Sequence, residues 1–209
     1  GYFSSGKFDQ FKRNIPYSAL IQALQGLIRQ LLSESEDQIA LWKERFLKAL
    51  GPNGQVMLAV IPDLELLIGP QPAASELPPA QAQNRFNFVF QNFVRTFAAA
   101  EHPLAIFLDD LQWADSSSLK LLELLLNDPK TNCLLIVGAY RDNEVLDAHP
   151  LRLTLNDIRK TGVTVTTITL KPLTLEHVTH LMADTLRTHP HPSQEGNELA
   201  ELVVQKTDG

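Results

Sequence analysis

One run constrains this chain more than any other: Leu104-Ala105-Ile106-Phe107-Leu108, followed at once by Asp109-Asp110. A short, continuous apolar run suits a strand covered on both faces, as in the middle of a parallel sheet. Two carboxylates side by side at its exit repel each other unless a cation or a proton sits between them. In open parallel sheets, ligands bind beyond the carboxyl ends of the strands. Mg²⁺ is the cation such a place would hold, through one or two carboxylates plus substrate phosphates. Asp109 is then expected to orient the Mg²⁺ waters, and Asp110 to polarise the water that attacks a γ-phosphate. The plain alternative is a pair of solvated carboxylates capping the next helix.

Around this run the pattern alternates between helical and extended periods. Residues 2–8 read as a short edge strand or loop. Residues 16–33 read as a helix, with Leu20, Ile21, Leu24, Leu27, Ile28, Leu31 and Leu32 at helical spacing. Pro16 falls in its first turn, where a missing N–H is harmless. Ser35 and Gln38 form a capping-box pattern ahead of a second helix that ends before Gly51-Pro52. Residues 58–68 are short and apolar, with Asp63 as the expected N-cap. Residues 69–79 form a Pro- and Ala-rich loop. Residues 81–100 give an amphipathic helix with Phe86, Phe90, Phe93 and Phe97 on one face, a stripe that reads as core packing. Residues 116–126, 151–160, 174–188 and 196–206 are expected helices, and 134–139 a second buried strand. Residues 163–170, rich in Val, Ile and Thr, are expected as a third strand. Strands alternating with helices imply βα units and a parallel sheet.

The whole string at residues 104–115, ending Leu111-Gln112-Trp113-Ala114-Asp115, resembles the Walker B segment of AAA-like and STAND-type P-loop NTPases (AAA_16-type). Its usual form is an apolar run, D-D, apolar, Q/H, W, A, D. Leu134-Leu-Ile-Val-Gly-Ala-Tyr140-Arg141 resembles the sensor-1 strand of that family, which places a polar or Arg residue toward the γ-phosphate. Leu170-Lys171-Pro172-Leu173-Thr174 resembles the entry to its helical lid. The stretch Gly6 to Tyr17 is similar to the segment after the first helix in the ATPase module of large bacterial, especially cyanobacterial, multi-sensor signalling kinases. In those proteins a Ser/Thr kinase domain precedes the module, and sensor and histidine kinase domains follow it.

The resemblance implies an α/β fold: a P-loop NTPase-like parallel sheet flanked by helices, with a core at 1–170 and the start of a C-terminal helical lid at 171–209. It implies ATP and Mg²⁺ as ligands, Asp110 and Arg141 as catalytic residues, and Asp109, Asp110 and Arg141 as nucleotide contacts. Asp109 would hold Mg²⁺ through water. The implied function is a slow regulatory ATPase that switches flanking kinase and sensor domains, with homo-oligomerisation a further expectation. A degenerate interaction scaffold and the ATPase core of a transcription regulator are the alternatives. The phosphate-binding Walker A loop is expected before Gly1, so the chain reads as an excised piece of a longer protein that would not turn over ATP by itself.

Gly1-Tyr-Phe-Ser-Ser-Gly6-Lys7 formally fits G-x-x-x-x-G-K. A working P-loop needs a preceding strand, Ser or Thr after the Lys, and an immediate helix. Phe8 follows Lys7 here, so the string reads instead as a strand and its following loop. Trp113 is expected to anchor the loop by packing, Asp115 to cap the helix at Ser116, and Lys12-Arg13 to be a solvated pair. His177, His180, His189 and His191 lack a completing ligand set for zinc, and Ser116 to Ser118 lack a nucleophile-elbow pattern.

Bulk properties bound the rest. The net charge of −6 does not suit a dedicated nucleic-acid binder. Cys133 is the single cysteine, which leaves no disulfide framework and makes a reducing, cytoplasmic setting the expectation. No stretch is apolar enough to read as a membrane span or signal peptide.

Overall fold

The computed structural model describes residues 1–12, 15–186 and 194–207. It divides into two compact units, Gly1–Val165 and Thr166–Gly209. The first unit holds a parallel sheet of three strands in the order β1 (Tyr2–Lys7), β2 (Leu104–Asp109) and β3 (Leu134–Gly138). Its helices are α1 (Ser18–Leu31), α2 (Glu36–Leu50), α3 (Gly54–Leu58), α4 (Glu65–Ile68), α5 (Pro79–Phe97), α6 (Ser116–Leu126) and α7 (Pro150–Lys160). The second unit holds α8 (Leu175–Leu186) and α9 (Gln194–Thr207). This is the expected α/β architecture of a parallel sheet flanked by helices.

Alternation along the strands decides what each face does. Leu104, Ile106 and Leu108 are buried, together with Ser4 on β1. Helix α1 lies on this face: the Ser4 hydroxyl donates to the Ala23 carbonyl at 2.7 Å. Gly6 is required there, because a β-carbon would lie 1.9 Å from the Ala19 carbonyl oxygen. Behind α1 sits an aromatic cluster in which Phe46 stands 5.0 Å from Phe93 and 5.1 Å from Phe97, ring centre to ring centre. The phenylalanine stripe of α5 is thus core packing: Phe90, Phe93 and Phe97 are fully buried, and Phe86 stacks on Tyr17 and Phe90.

The opposite face is different. Phe3, Ala105 and Leu135 are in register across the three strands, as are Ser5, Phe107 and Val137. Phe3 is 60% exposed, Leu135 58% and Val137 43%. Ala105 and Phe107, on the central strand between them, are half-buried. The expectation of a second buried strand is corrected accordingly: β3 forms, but one of its faces is open.

Several local expectations are also corrected. Residues 163–170 form no strand; Ile168 and Leu170 are 81% and 88% exposed. β-propensity describes fit to a half-buried pleated surface, and this segment pairs with none of the three strands. Helix α1 begins after Tyr17, whose left-handed backbone (φ 65°) is its N-cap, so Pro16 lies outside. Ser35 stands at the N-cap of α2 but its hydroxyl makes no capping bond. Asp63 is no N-cap; it lies inside a 3₁₀ turn (Pro62–Leu64), and its carboxylate accepts from Arg29 Nε at 3.0 Å. In the second unit, Thr174 does cap α8, its hydroxyl accepting from the His177 amide at 3.3 Å. Arg13, His189 and His191 lie outside the described residues. Among the described residues, no helix is long and apolar enough to cross a membrane, and no group of three or more His, Cys, Asp or Glu side chains is placed to hold a metal.

Candidate functional site

The carboxyl ends of the three strands are level. Lys7 pairs with Asp109 in the β1–β2 register, and Leu108 pairs with Gly138 on the other side. Pairing continues past the strand ends, with the Ala139 amide donating to the Leu108 carbonyl at 2.9 Å and the Leu111 amide to the Ala139 carbonyl at 2.9 Å. These two bonds draw the segment after β3 alongside the segment after β2. They bring Arg141 next to the Asp110–Gln112 corner.

Asp110 turns that corner. Its backbone is left-handed (φ 53°, ψ 43°), a region that Asp visits more readily than most residues. The turn throws its side chain back over the strand end. There the Lys7 ammonium meets Asp110 Oδ2 at 2.7 Å and Asp109 Oδ2 at 2.8 Å. Asp109 uses its other oxygen to accept from the Asp110 amide at 2.9 Å. Asp110 Oδ1 accepts from Gln112 Nε2 at 2.9 Å, and Gln112 Oε1 accepts from the Arg141 amide at 3.3 Å. Gln112 is buried at 2% exposure, so the Asp110 carboxylate is fixed from both sides.

The electrostatics follow from that geometry. Hydrogen bonds to Asp109 and then Asp110 push the Lys7 amine above its ordinary range. The Lys7 hydrogen bond, helped by Gln112 and the charge of Arg141, pulls the Asp110 carboxyl below its ordinary range against the opposing effect of burial. The Asp110 carboxyl is therefore held in its ionised form, facing the Lys7 ammonium. Hard carboxylate oxygens facing a shared positive charge are a donor set that fits Mg²⁺.

Arg141 lies at the same end of the sheet, with its side chain 64% exposed and its guanidinium donating to Glu144 Oε1 at 3.3 Å. Trp113 packs against the core and donates its indole N–H to the other Glu144 oxygen at 3.2 Å. Asp115 caps α6: it accepts from the Ser118 amide at 2.9 Å and from the Ser118 hydroxyl at 2.5 Å. The same hydroxyl accepts from the Tyr17 amide at 3.0 Å, which ties the start of α1 to the first turn of α6. Asp109 and Asp110 thus stand together at the end of β2, and the Arg141 backbone is joined to Asp110 through Gln112, while the Arg141 guanidinium pairs with Glu144. Lys7 and Gln112 were missed as members of the site. For Gln112 the signal was present in the D-D-x-Q spacing; for Lys7 it required knowing which strand lies beside β2.

The AAA ATPase domain family matches residues 1–137. The hybrid signal transduction histidine kinase G of Dictyostelium discoideum is 31% identical over 270 aligned positions, covering 99% of this chain and 8% of that protein. The histidine protein kinase 1 of Candida albicans is 24% identical over 137 positions, covering 58% of this chain and 6% of that protein. The chain therefore spans only a small part of the curated relatives it matches. No solved structure matches it.

Proposed function

The chain belongs to the AAA ATPase domain family, and from that premise we propose that it is the regulatory ATP-binding module of a larger signal-transduction kinase. The histidine kinase relatives support the setting, and the carboxylate pair at the exit of β2 supports the chemistry. In this reading the module is of the STAND type, works slowly, and acts as a switch in the cytoplasm on kinase and sensor domains of the same polypeptide. Such a switch responds to nucleotide only through contacts that differ between its two states.

When bound, Mg²⁺ would neutralise phosphate charge and bridge the nucleotide to the protein. Asp109, the more exposed of the two carboxylates, faces the open end of the sheet and would hold the ion's waters. Asp110, held by Gln112, would accept a hydrogen bond from the attacking water and align it. Arg141 would exchange Glu144 for a phosphate oxygen; its present partner is an exposed ion pair, which costs little to break. Residues 171–209 would supply the start of the lid. The G-x-x-x-x-G-K string here runs as strand β1, so the amides and lysine that cradle the phosphates would not come from that string.

The single observation that carries this reading is the position of Asp109 and Asp110 at the carboxyl end of the central strand. In the longer protein, Asp110→Asn should retain nucleotide binding and lose hydrolysis by about 10²-fold or more. Asp109→Ala should weaken nucleotide binding only when Mg²⁺ is present. Hydrolysis by Asp110→Asn at the parent rate would remove the role assigned to that carboxylate.

A further inference from the structure

We propose that Lys7 is a built-in counter-ion that occupies the divalent-cation position of the Asp109–Asp110 pair and has to leave it before Mg²⁺ can bind. The inference rests on the reading of that pair as the Mg²⁺ site. It goes further in assigning a role to a residue on the neighbouring strand.

The geometry is specific. β1 and β2 are parallel and paired residue for residue, so Lys7 stands directly beside Asp109 at the end of the sheet. Its side chain lies on the same face as that of Asp109. The ammonium takes one oxygen from each carboxylate, at 2.8 and 2.7 Å. A surface lysine usually meets one partner; here it bridges two acids that would otherwise repel. The bridge leaves one net negative charge where a divalent ion would leave none, so Mg²⁺ satisfies the pair more completely than the lysine does.

Two opposing magnitudes set how firmly Lys7 holds. Because the amine is tethered to the adjacent strand, its local concentration at the acids is on the order of millimolar or more. An incoming ion must outcompete it. Against that, the Lys7 side chain is 60% exposed, and solvent-screened pairs of this kind are weak. The result is a latch that discourages Mg²⁺ alone and yields when phosphates add their own charge to the site. Lys7 thereby keeps the two carboxylates aligned and the strand ends together between nucleotide-binding events.

The test uses Mn²⁺ as the probe, without nucleotide, followed by electron paramagnetic resonance of the free ion. Lys7→Met should bind Mn²⁺ about tenfold more tightly than the parent, the gain expected from removing a two-pronged but exposed ion pair. Lys12→Met removes a nearby positive charge that pairs with Asp9 instead, and should leave the affinity unchanged. No gain in Lys7→Met, or an equal gain in Lys12→Met, overturns the proposal. A second readout needs no variant at Lys7. In the parent protein, saturating Mg²⁺ should speed acetylation of Lys7 relative to Lys12, followed by mass spectrometry. Unchanged Lys7 reactivity under saturating Mg²⁺ also overturns the proposal. The underlying site assignment fails separately: if Asp109→Asn and Asp110→Asn bind Mn²⁺ as the parent does, the carboxylate pair is not the cation site.

Discussion

At the scale of single residues, Gln112 joins two parts of the chain that are distant in sequence. Its amide nitrogen holds the Asp110 carboxylate, and its oxygen takes the backbone N–H of Arg141 in the segment after β3. Gln112→Leu keeps the bulk and removes both bonds, leaving a carboxylate oxygen without one of its donors. The expected cost is about 1–3 kcal/mol at neutral pH, measured by urea unfolding. The pH dependence has a definite sign. Asp110 titrates below the ordinary carboxylate range in the folded protein, so the stability it contributes is full above that range. It is lost as pH falls through the depressed folded value, and the gap between variant and parent should narrow over the same interval. The glutamine could be read from its place in the D-D-x-Q-W string. Lys7 could not, since its importance depends on β1 lying beside β2, and the formal G-x-x-x-x-G-K pattern pointed to another use for it.

At the scale of elements, the strand-to-helix transition after β2 was legible and the edges of the sheet were not. Asp115 is followed three residues later by Ser118, and the structure places both the amide and the hydroxyl of Ser118 on the Asp115 carboxylate. That is a local arrangement, so local sequence suffices to find it. Residues 163–170 have the composition of a strand, but strand formation needs a neighbouring ladder, which composition does not encode. Close approach of α1 to β1 was likewise hidden until Gly6 was seen against the Ala19 carbonyl. Gly6→Ala puts a methyl group into backbone atoms rather than into a yielding side chain. We expect it to destabilise the protein by roughly 1–3 kcal/mol, seen as a lower thermal midpoint, without touching any charged member of the site.

At the scale of the whole molecule, the chain resolves into Gly1–Val165 and Thr166–Gly209. The stretch from 163 to 174 carries no regular structure and exposes Ile168 and Leu170. Thermolysin, which cuts before such residues, should cleave first at Ile168 or Leu170 and release a fragment ending near 165–169 that keeps its helical circular dichroism. Early cutting inside α1 or α5 would contradict the division. The alternation of elements was enough to anticipate an α/β domain. It said nothing of how many layers the domain would have. The sheet is clothed by helices on one side, while Phe3, Leu135 and Val137 form a flat, greasy surface on the other. An apolar panel of this kind is an aggregation liability, so the isolated chain is expected to take up a hydrophobic dye and to self-associate at high concentration, read by dye fluorescence and light scattering. An apolar segment laid across the panel should suppress both signals.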